Sequence, residues 1–311
     1  MPKGRYDVNG KVVLVTGAAR GIGAAIAERL HARGAHVALV GLEPERLAER
    51  AAALGDRAAW FEADVTDGEA VRAATDGVVE RFGGIDVVIA NAGLSFVGTL
   101  ETQPLDQWER TVDVNLMGVY RTLRAAVPHV RQRRGYALTI SSASAIAHMP
   151  LMSAYTASKA GCEALTDALR VELAPTGAKA GCVYFGFIDT DLVRGAYEHP
   201  ATKALNAVQP GFIKTPISLD KATDTLERAI ERRAARAWAP AWVGPALRMR
   251  GLLQPLLELG AARRDTKALQ EAMRLADPAT AADRPAVDAK LGVAVQDGEP
   301  ALQHGSAREL A

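Results

Sequence analysis

A tyrosine and a lysine four positions apart, Tyr155 and Lys159, carry the clearest chemistry in the sequence. Residues 153–173 have helical periodicity, so the two side chains share one face of a helix. A free phenol is a poor base at neutral pH, and a neighbouring ammonium group stabilises the phenolate. Such a pair can exchange a proton with a substrate oxygen. Because the same pair is common on solvated helix faces, it is weak evidence alone.

Ser142 lies thirteen positions before Tyr155, at the end of the predicted strand 138–142. Sheets with helices on both faces place their ligand contacts at the carboxyl ends of strands. A hydroxyl at such a position can donate a hydrogen bond to a substrate oxygen that gains negative charge. Ser141 and Ser144 stand close by, and the spacing to Tyr155 favours Ser142 over both.

Three glycines, Gly17, Gly21 and Gly23, stand between a predicted strand and a predicted helix. Glycine lets a backbone approach a ligand closely, and the amide groups at a helix start attract a pyrophosphate. The spacing is Gly-x-x-x-Gly-x-Gly rather than the general Gly-x-Gly-x-x-Gly dinucleotide pattern. Tight turns also need glycine, but the position inside a strand–turn–helix–strand unit favours cofactor binding.

Together these features resemble the short-chain dehydrogenase/reductase family. The string Thr-Gly-Ala-Ala-Arg-Gly-Ile-Gly at 16–23 is similar to the cofactor turn of the family, and Asn-Ala-Gly at 91–93 to its Asn-Ala-Gly motif. Tyr155 and Lys159 match its Tyr-x-x-x-Lys motif, with Ser142 at the family's spacing. The resemblance extends over residues 8–240. It departs from the pattern at Phe185, where the family has a proline before Gly186.

The resemblance implies an NAD(P)-dependent oxidoreductase that interconverts a secondary alcohol and a ketone. In such an enzyme Tyr155 transfers the proton and Ser142 polarises the carbonyl. Lys159 tunes Tyr155 and holds the nicotinamide ribose, while Asn115 helps to order a water relay toward Lys159. A dinucleotide-binding sensor without turnover is the alternative, although a sensor has no need of Tyr155 and Lys159 together.

The resemblance also assigns the cofactor-binding positions, most of which follow the carboxyl ends of the predicted strands. They are Gly17, Ala19, Arg20, Gly21, Ile22, Gly23, Leu42, Glu43, Asp64, Val65, Asn91, Ala92, Gly93, Tyr155, Lys159, Gly186, Ile188 and Thr190.

The residues after the second predicted strand give conflicting signals about the cofactor. Family members that prefer NAD usually have Asp where Gly41 stands, and members that prefer NADP often have Arg where Leu42 stands. Arg20 favours a 2′-phosphate, whereas Glu43 could accept a hydrogen bond from a 2′-hydroxyl and would repel phosphate. On balance these residues favour NADP over NAD.

The predicted substrate site is mostly apolar, which favours a small apolar carbonyl compound or alcohol over a sugar. Its predicted lining residues are Ser95, Phe96, Ser142, Met149, Leu151, Phe185 and Phe187.

The elements that must position these residues alternate between strand and helix patterns from Lys11 to Phe185. The first strand run, 11–16, is apolar on both faces, which is typical of a buried parallel strand. This pattern predicts an α/β fold with a doubly wound parallel sheet, a Rossmann fold, and right-handed crossovers. Residues 105–133 are predicted to form one long helical region.

We predict a single dehydrogenase domain over 1–245 with a substrate lid at about 189–218, a helical extension over 246–275 and a disordered tail over 276–311. The segment 246–257 is apolar with basic residues, so contact with a membrane surface is one interpretation. Gly251 and Pro255 interrupt a long clean helix. Packing over the substrate side or a neighbouring subunit is therefore favoured.

Composition limits the other function classes. The chain of 311 residues has 37 basic and 36 acidic residues and no basic stripe, which argues against a nucleic-acid partner. Its two cysteines, Cys162 and Cys182, exclude a disulfide scaffold and a Cys-rich zinc site, and we expect no metal. A polar N-terminus without a following apolar segment predicts a cytoplasmic protein.

Relatives of this size usually form dimers or tetramers through the helices that correspond to 105–133 and 153–173. In the second helix, small residues recur at helical spacing, and small side chains let two helices approach closely. We therefore expect a homo-dimer or homo-tetramer.

Overall fold

The computed structural model describes residues 5–209, 211–263 and 266–277, and the short segments 287–288, 293–296 and 299–300. Seven strands form one sheet: β1 (Val12–Thr16), β2 (His36–Gly41), β3 (Ala58–Glu62), β4 (Val87–Ala90), β5 (Tyr136–Ser142), β6 (Lys179–Phe185) and β7 (Arg236–Ala239). All six neighbouring pairs are parallel, in the order β3-β2-β1-β4-β5-β6-β7. This is the predicted doubly wound Rossmann fold.

The α-helices alternate with these strands and then continue into the lid and the extension. They are α1 (Gly21–Ala32), α2 (Pro44–Leu54), α3 (Gly68–Phe82), α4 (Leu105–Val112), α5 (Gly118–Gln132), α6 (Ser153–Leu173), α7 (Asp191–Glu198), α8 (Pro200–Val208), α9 (Gly211–Lys214), α10 (Leu219–Arg232), α11 (Val243–Arg248), α12 (Arg250–Arg263) and α13 (Thr266–Ala276).

The inner strands β1, β2, β4, β5 and β6 are mostly buried on both faces, because successive side chains point to opposite sides and both sets are apolar, whereas the edge strands β3 and β7 are partly exposed. Val13 and Val15 of β1 pack in the cluster that includes residues of α1, α2 and α10. Val12 and Leu14 pack in the cluster that includes residues of α3, α5 and α6. The two-sided burial predicted for the first strand is therefore confirmed.

The order of the strands reverses between β1 and β4. The chain runs outward from β1 to β3, returns to the centre for β4 and then continues to β7 on the other side. A crevice opens at such a reversal, outside the carboxyl ends of the strands, and ligands bind there in this type of sheet. The glycine turn 17–23 and the segment 91–93 both lie at this crevice.

The predicted long helix 105–133 is interrupted, which corrects that prediction. A π-helical turn at Asp113–Met117 separates α4 from α5. Asn115 lies inside this turn and is fully buried. Single π-helical turns are often found at functional sites, because the wider turn changes the direction of nearby side chains.

The chain after β6 forms the lid and the extension. The lid contains α7, α8 and α9, within the predicted range 189–218. The extension contains α11, α12 and α13, and Ala272 and Ala276 of α13 pack with Ala201 of α8. Within the segment predicted to be disordered, three short strands pair with one another, β8 (Val287–Asp288), β9 (Val293–Gln296) and β10 (Glu299–Pro300). The rest of that segment lies outside the described residues.

Candidate active site

The glycine turn forms a cradle that has no room for side chains. Gly17 has φ +66, and a Cβ there would lie 2.9 Å from the Cα of Ala92. A Cβ on Gly23 would lie 2.2 Å from the carbonyl oxygen of Gly17. The backbone can therefore approach a ligand here as closely as a pyrophosphate requires.

Asn91 fixes this turn against the end of β4. Its side-chain amide donates to the carbonyl oxygens of Thr16 and Gly17 at 2.9 and 3.3 Å. The backbone amides of Asn91 and Ala92 donate to the hydroxyl of Thr16 at 3.1 and 3.2 Å. These bonds couple the two loops on either side of the crevice, so their shape is set before a ligand binds.

The crevice has a volume of about 200 Å³, and most of the predicted cofactor-binding residues line it. Thirteen of the eighteen line it: Gly17, Ala19, Arg20, Gly21, Ile22, Leu42, Glu43, Asp64, Val65, Asn91, Ala92, Gly93 and Thr190. Five do not. Gly23 lies beneath the turn, against Gly17. Ile188 is buried in the core. Gly186 and Tyr155 instead line a second cavity, which is mainly apolar. Lys159 is buried behind Tyr155.

Several lining residues were missed by the sequence analysis: Gly41, Ala63, Leu94, Arg110, Val114 and Asp191. Arg110 donates to the carboxylate of Asp64 at 3.0 Å and to the hydroxyl of Thr66 at 2.9 Å. Burial raises the pKa of Asp64, but hydrogen bonds from Thr66 and the ion pair with Arg110 outweigh it and hold that pKa below its usual range. An arginine in a helix resembles any solvated residue, so the sequence contained no signal for this contact.

Arg20 and Glu43, the two residues with opposite implications for the cofactor, form an ion pair. The guanidinium of Arg20 donates to both carboxylate oxygens of Glu43, through Nε at 2.9 Å and through Nη2. Arg46 lies 3.5 Å from the same carboxylate. The third nitrogen of Arg20, Nη1, is buried and has no hydrogen-bond partner among the described residues. One carboxylate therefore faces two guanidinium groups.

Lys159 is held directly behind Tyr155. Its ammonium nitrogen donates to the carbonyl oxygen of Ile140 at 2.9 Å and lies 5.7 Å from the centroid of the Tyr155 ring. The residue is only 4% exposed. A buried ammonium with one backbone partner keeps donors for other groups, and it stabilises negative charge on a neighbouring oxygen.

Asn115 positions the loop that follows β4. Its side chain accepts from the amide of Leu94 at 2.8 Å and donates to the carbonyl of Leu94 at 2.9 Å. Its own carbonyl oxygen accepts from the Cys162 thiol at 3.0 Å. A Cβ on Gly93 would lie 3.2 Å from Asn115 Oδ1 and 3.5 Å from Lys159 Nζ, so both side chains reach this loop. The water relay implied by the resemblance stays a prediction.

Ser142 lies at the end of β5, where its hydroxyl is oriented by backbone groups. It accepts from the amide of Ser144 at 3.1 Å, and its contact with the carbonyl of Phe185 is 3.4 Å long. The second contact is weak, so the hydroxyl is able to donate a hydrogen bond to a substrate oxygen instead. Ser142 and Tyr155 line the same cavity.

This second cavity has a volume of about 300 Å³ and is mainly apolar. Four of the seven predicted substrate residues line it: Ser95, Ser142, Met149 and Phe187. The lid and the extension supply much of the remaining wall, which the sequence analysis had not assigned: Val193, Ala196, Phe212, Ile213, Trp242, Ala246, Leu253 and Leu257.

The other three predicted substrate residues, Phe96, Leu151 and Phe185, do not line the cavity, which corrects this part of the prediction. Phe96 packs with Val65 and other core residues beside β4. Leu151 packs against the lid. Phe185 still belongs to β6, so its side chain is buried in the sheet core, and only its backbone contacts Ser142.

The helix α12 packs over the substrate side, the arrangement that the sequence favoured over membrane contact. Leu253 and Leu257 line the cavity, while Leu252 and Leu256 are exposed. Among the described residues, no helix combines the length and the apolar character needed to cross a membrane.

Comparison with known proteins agrees with this geometry. The family model of short chain dehydrogenases matches residues 11–201. The chain belongs to the short chain dehydrogenase family. It is therefore an oxidoreductase, and the sensor without turnover is set aside.

Relatives and solved structures extend over most of the chain. The 3beta-hydroxysteroid dehydrogenase 1 of Eggerthella lenta is 34% identical over 233 residues, which are 73% of this chain and 80% of that protein. A short chain dehydrogenase/reductase from Burkholderia phymatum in complex with NAD matches with TM-score 0.69 and 25% identity, over 82% of this chain and 96% of that one. An alcohol dehydrogenase from Thermococcus sibiricus complexed with 5-hydroxy-NADP matches with TM-score 0.63 and 28% identity, over 73% and 94%.

Proposed function

We propose that the enzyme interconverts a secondary alcohol and a ketone with a nicotinamide cofactor, and that Tyr155 exchanges the proton. One observation carries the proposal. Ser142 and Tyr155 line one apolar cavity, with the ammonium of Lys159 at 5.7 Å from the Tyr155 ring. The glycine cradle next to it fits a dinucleotide, because Gly17 and Gly23 have no space for a side chain.

In the direction of reduction, the Tyr155 hydroxyl gives its proton to the carbonyl oxygen of the substrate. The Ser142 hydroxyl donates a hydrogen bond to the same oxygen as its negative charge grows. Lys159 stabilises the phenolate that remains on Tyr155 and holds the ribose hydroxyls of the cofactor. A bound nicotinamide supplies the hydride in this direction and accepts it in the other.

We propose NADP as the preferred cofactor. Arg20 and Arg46 both neutralise Glu43, so these three residues together have a formal charge of +1. That charge favours a 2′-phosphate over a 2′-hydroxyl. NAD remains the competing cofactor, since Glu43 would repel phosphate if its ion pairs opened.

The proposed substrate is an apolar carbonyl compound or alcohol, without charge. The cavity offers polar groups mainly at Ser95, Ser142, Ser144 and Tyr155, and its other walls are hydrophobic. The Eggerthella lenta relative is named for a hydroxysteroid, and a polycyclic alcohol of that kind suits an apolar cavity.

A ketone panel with both reduced cofactors tests the proposed reaction. Loss of absorbance from NADPH or NADH is expected with apolar cyclic ketones and not with polyhydroxylated sugars. Cofactor binding without turnover of any ketone would contradict the proposed reaction, and a preference for charged sugars would contradict the proposed substrate.

We propose a homo-oligomer built on α5 and α6, with a dimer as the smallest form. Met117 at the start of α5, Tyr120 on α5 and Val171 on α6 are exposed apolar residues. Ala157 and Ala164 of α6 are exposed small residues on the same helix. A symmetric pairing would bury this face. A cytoplasmic location is also proposed, since Cys162 and Cys182 are both unbridged.

A further inference from the structure

A strained turn leads into the helix α6. Leu151 lies in this turn with φ +65, in the left-handed region that residues with a large side chain rarely adopt. Met149 and Met152, on either side of it, line the cavity that contains Ser142 and Tyr155, here called the substrate cavity. Strain of this kind persists only where the surrounding structure fixes the conformation, and it is often found at functional sites. The contacts that hold Leu151 are therefore of interest for the substrate.

Backbone contacts fix the chain on both sides of this turn. The carbonyl oxygen of Leu151 accepts from the amide of Gly98 at 3.0 Å, and Met152 pairs with Gly98 in a parallel bridge. The carbonyl oxygen of Met152 accepts from the amide of Thr156 at 2.8 Å, which closes the first turn of α6. The course of the chain at Leu151 therefore sets where Met152 joins the cavity wall and where α6 begins, two residues before Tyr155.

The side chain of Leu151 is held by the lid and the extension. The residue is only 6% exposed and packs in one buried cluster with Ala201 of α8 and with Ala272 and Ala276 of α13. None of these four residues lines either cavity. Burial of the leucine side chain is favourable, so the cluster offsets the free-energy cost of the left-handed backbone conformation. The packing of α8 and α13 is thus linked to the turn that carries the two cavity methionines.

We propose that Leu151 is a positioning residue for the substrate. Its side chain, packed with residues of α8 and α13, holds the turn that places Met149 and Met152 in the wall of the substrate cavity. The helix α13 then influences substrate binding although none of its residues lines the cavity. This inference rests on the proposed function, and it gives Leu151 an indirect role in place of the direct contact that the sequence predicted.

Two substitutions of Leu151 test the backbone part of the inference. Leu151→Gly and Leu151→Ala both remove the packed side chain, but only glycine adopts φ +65 without strain. Leu151→Gly should therefore have the higher melting temperature of the two. Leu226 is the matched control, since it is fully buried in the middle of the helix α10, where alanine should give a more stable variant than glycine. A higher melting temperature for Leu151→Ala than for Leu151→Gly would overturn the inference.

Steady-state kinetics with 4-tert-butylcyclohexanone test the functional part. In Leu151→Ala the KM for this ketone should rise about tenfold, because the wall residues lose their fixed position. The dissociation constant of NADPH should stay unchanged, since Leu151 does not line the cofactor crevice. Leu151→Met refills the cluster with a similar volume and should keep the wild-type KM. An unchanged KM in Leu151→Ala, or an equal loss of affinity for NADPH, would contradict the positioning role.

A change on α13 covers the case in which the smaller Leu151 variants do not fold. Ala272→Leu adds volume to the cluster from the side of the extension and should raise the KM for the same ketone roughly threefold. Met273→Leu, at the exposed neighbouring position, is the control and should leave that KM unchanged. An unchanged KM in Ala272→Leu would overturn the link between α13 and the cavity. If the wild-type enzyme reduced no apolar cyclic ketone, the proposed function would fail instead, and the order of the melting temperatures would still test the turn.

Discussion

Arg250 of the C-terminal extension forms an ion pair of 2.9 Å with Glu163 of the helix α6. The two residues are 87 positions apart in the chain. Glu163 is almost fully buried and Arg250 is half exposed. The guanidinium of Arg250 therefore offsets the free-energy cost of removing the Glu163 carboxylate from water. This contact ties the wall of the substrate cavity to the helix that contains Tyr155 and Lys159.

The first prediction concerns this pair. Arg250→Ala should lower the free energy of unfolding by about 1–2 kcal/mol, because it leaves a buried carboxylate without its partner. It should also raise KM for the ketone, since the wall loses an anchor. Thermal unfolding and steady-state kinetics measure both effects. Arg274→Ala is the control, because Arg274 pairs with an exposed glutamate. Equal stability of the two variants would contradict the role given to Arg250.

The second prediction concerns proton transfer. Tyr155→Phe should reduce kcat by about a thousandfold, because it removes the hydroxyl and leaves the ring and Lys159 in place. The dissociation constant of NADPH, measured by fluorescence titration, should change little. Tyr120→Phe removes a hydroxyl from an exposed tyrosine of α5 and should keep the wild-type rate. Near-normal turnover in Tyr155→Phe would refute the role of this residue.

The third prediction separates the two roles of Lys159. Lys159→Met keeps most of the buried side-chain volume but removes the ammonium that donates to Ile140. Both the affinity for NADPH and kcat should fall, since the same group holds the ribose and stabilises the phenolate. A loss of kcat at unchanged cofactor affinity would mean that Lys159 stabilises the phenolate but does not hold the ribose.

The fourth prediction concerns the choice of cofactor. Arg20→Ala should lower the ratio of kcat/KM for NADPH to that for NADH by roughly tenfold, because a charge-assisted hydrogen bond to the 2′-phosphate is lost. Glu43→Gln should raise the same ratio, since it removes a negative charge and keeps the side-chain shape. Arg72→Ala is the control, because Arg72 lies outside the crevice and pairs with the exposed carboxylates of Glu69 and Asp76. Equal effects of Arg20→Ala on both cofactors would exclude a 2′-phosphate contact.

The fifth prediction concerns assembly. Light scattering on the purified protein should give a mass of at least two chains. Ala164→Glu introduces a charge on the exposed face of α6 and should yield monomers, whereas Ala52→Glu on the exposed side of α2 should not. A monomeric wild-type protein at micromolar concentration would refute the pairing of α5 and α6.

The sequence predicts the sheet and the cofactor crevice well, because these depend on local patterns. The strands β1 and β2 and the glycine turn between them lie within residues 12–41. They can be recognised without knowledge of contacts to distant parts of the chain. The break in the helix 105–133 is different. The residues around Asn115 keep a helical pattern, and the wider turn is accompanied by contacts of Asn115 with Leu94 and Cys162, which are distant in sequence.

The substrate cavity is predicted least well, for a related reason. Phe185 and Phe187 both follow the pattern of large apolar residues near the end of β6, but only Phe187 has left the strand and reached the cavity. The contribution of Leu253 and Leu257 depends on how the extension folds back, and the ion pair of Arg250 with Glu163 that holds it has no local signal. Long-range contacts of this kind cannot be read from residue spacing.

The two cavities draw on different stretches of the chain. The residues that line the cofactor crevice and the groups proposed to exchange the proton all lie within residues 11–201, the part that the family model matches. Much of the wall that faces the substrate comes from residues 212–257, beyond that part. Part of the wall around the proposed catalytic groups therefore comes from a stretch of the chain that contains none of those groups. We expect that replacing the extension on the same domain changes the range of substrates and leaves the reaction unaltered. Laboratory chimaeras and recombination during evolution are two ways to make such a replacement.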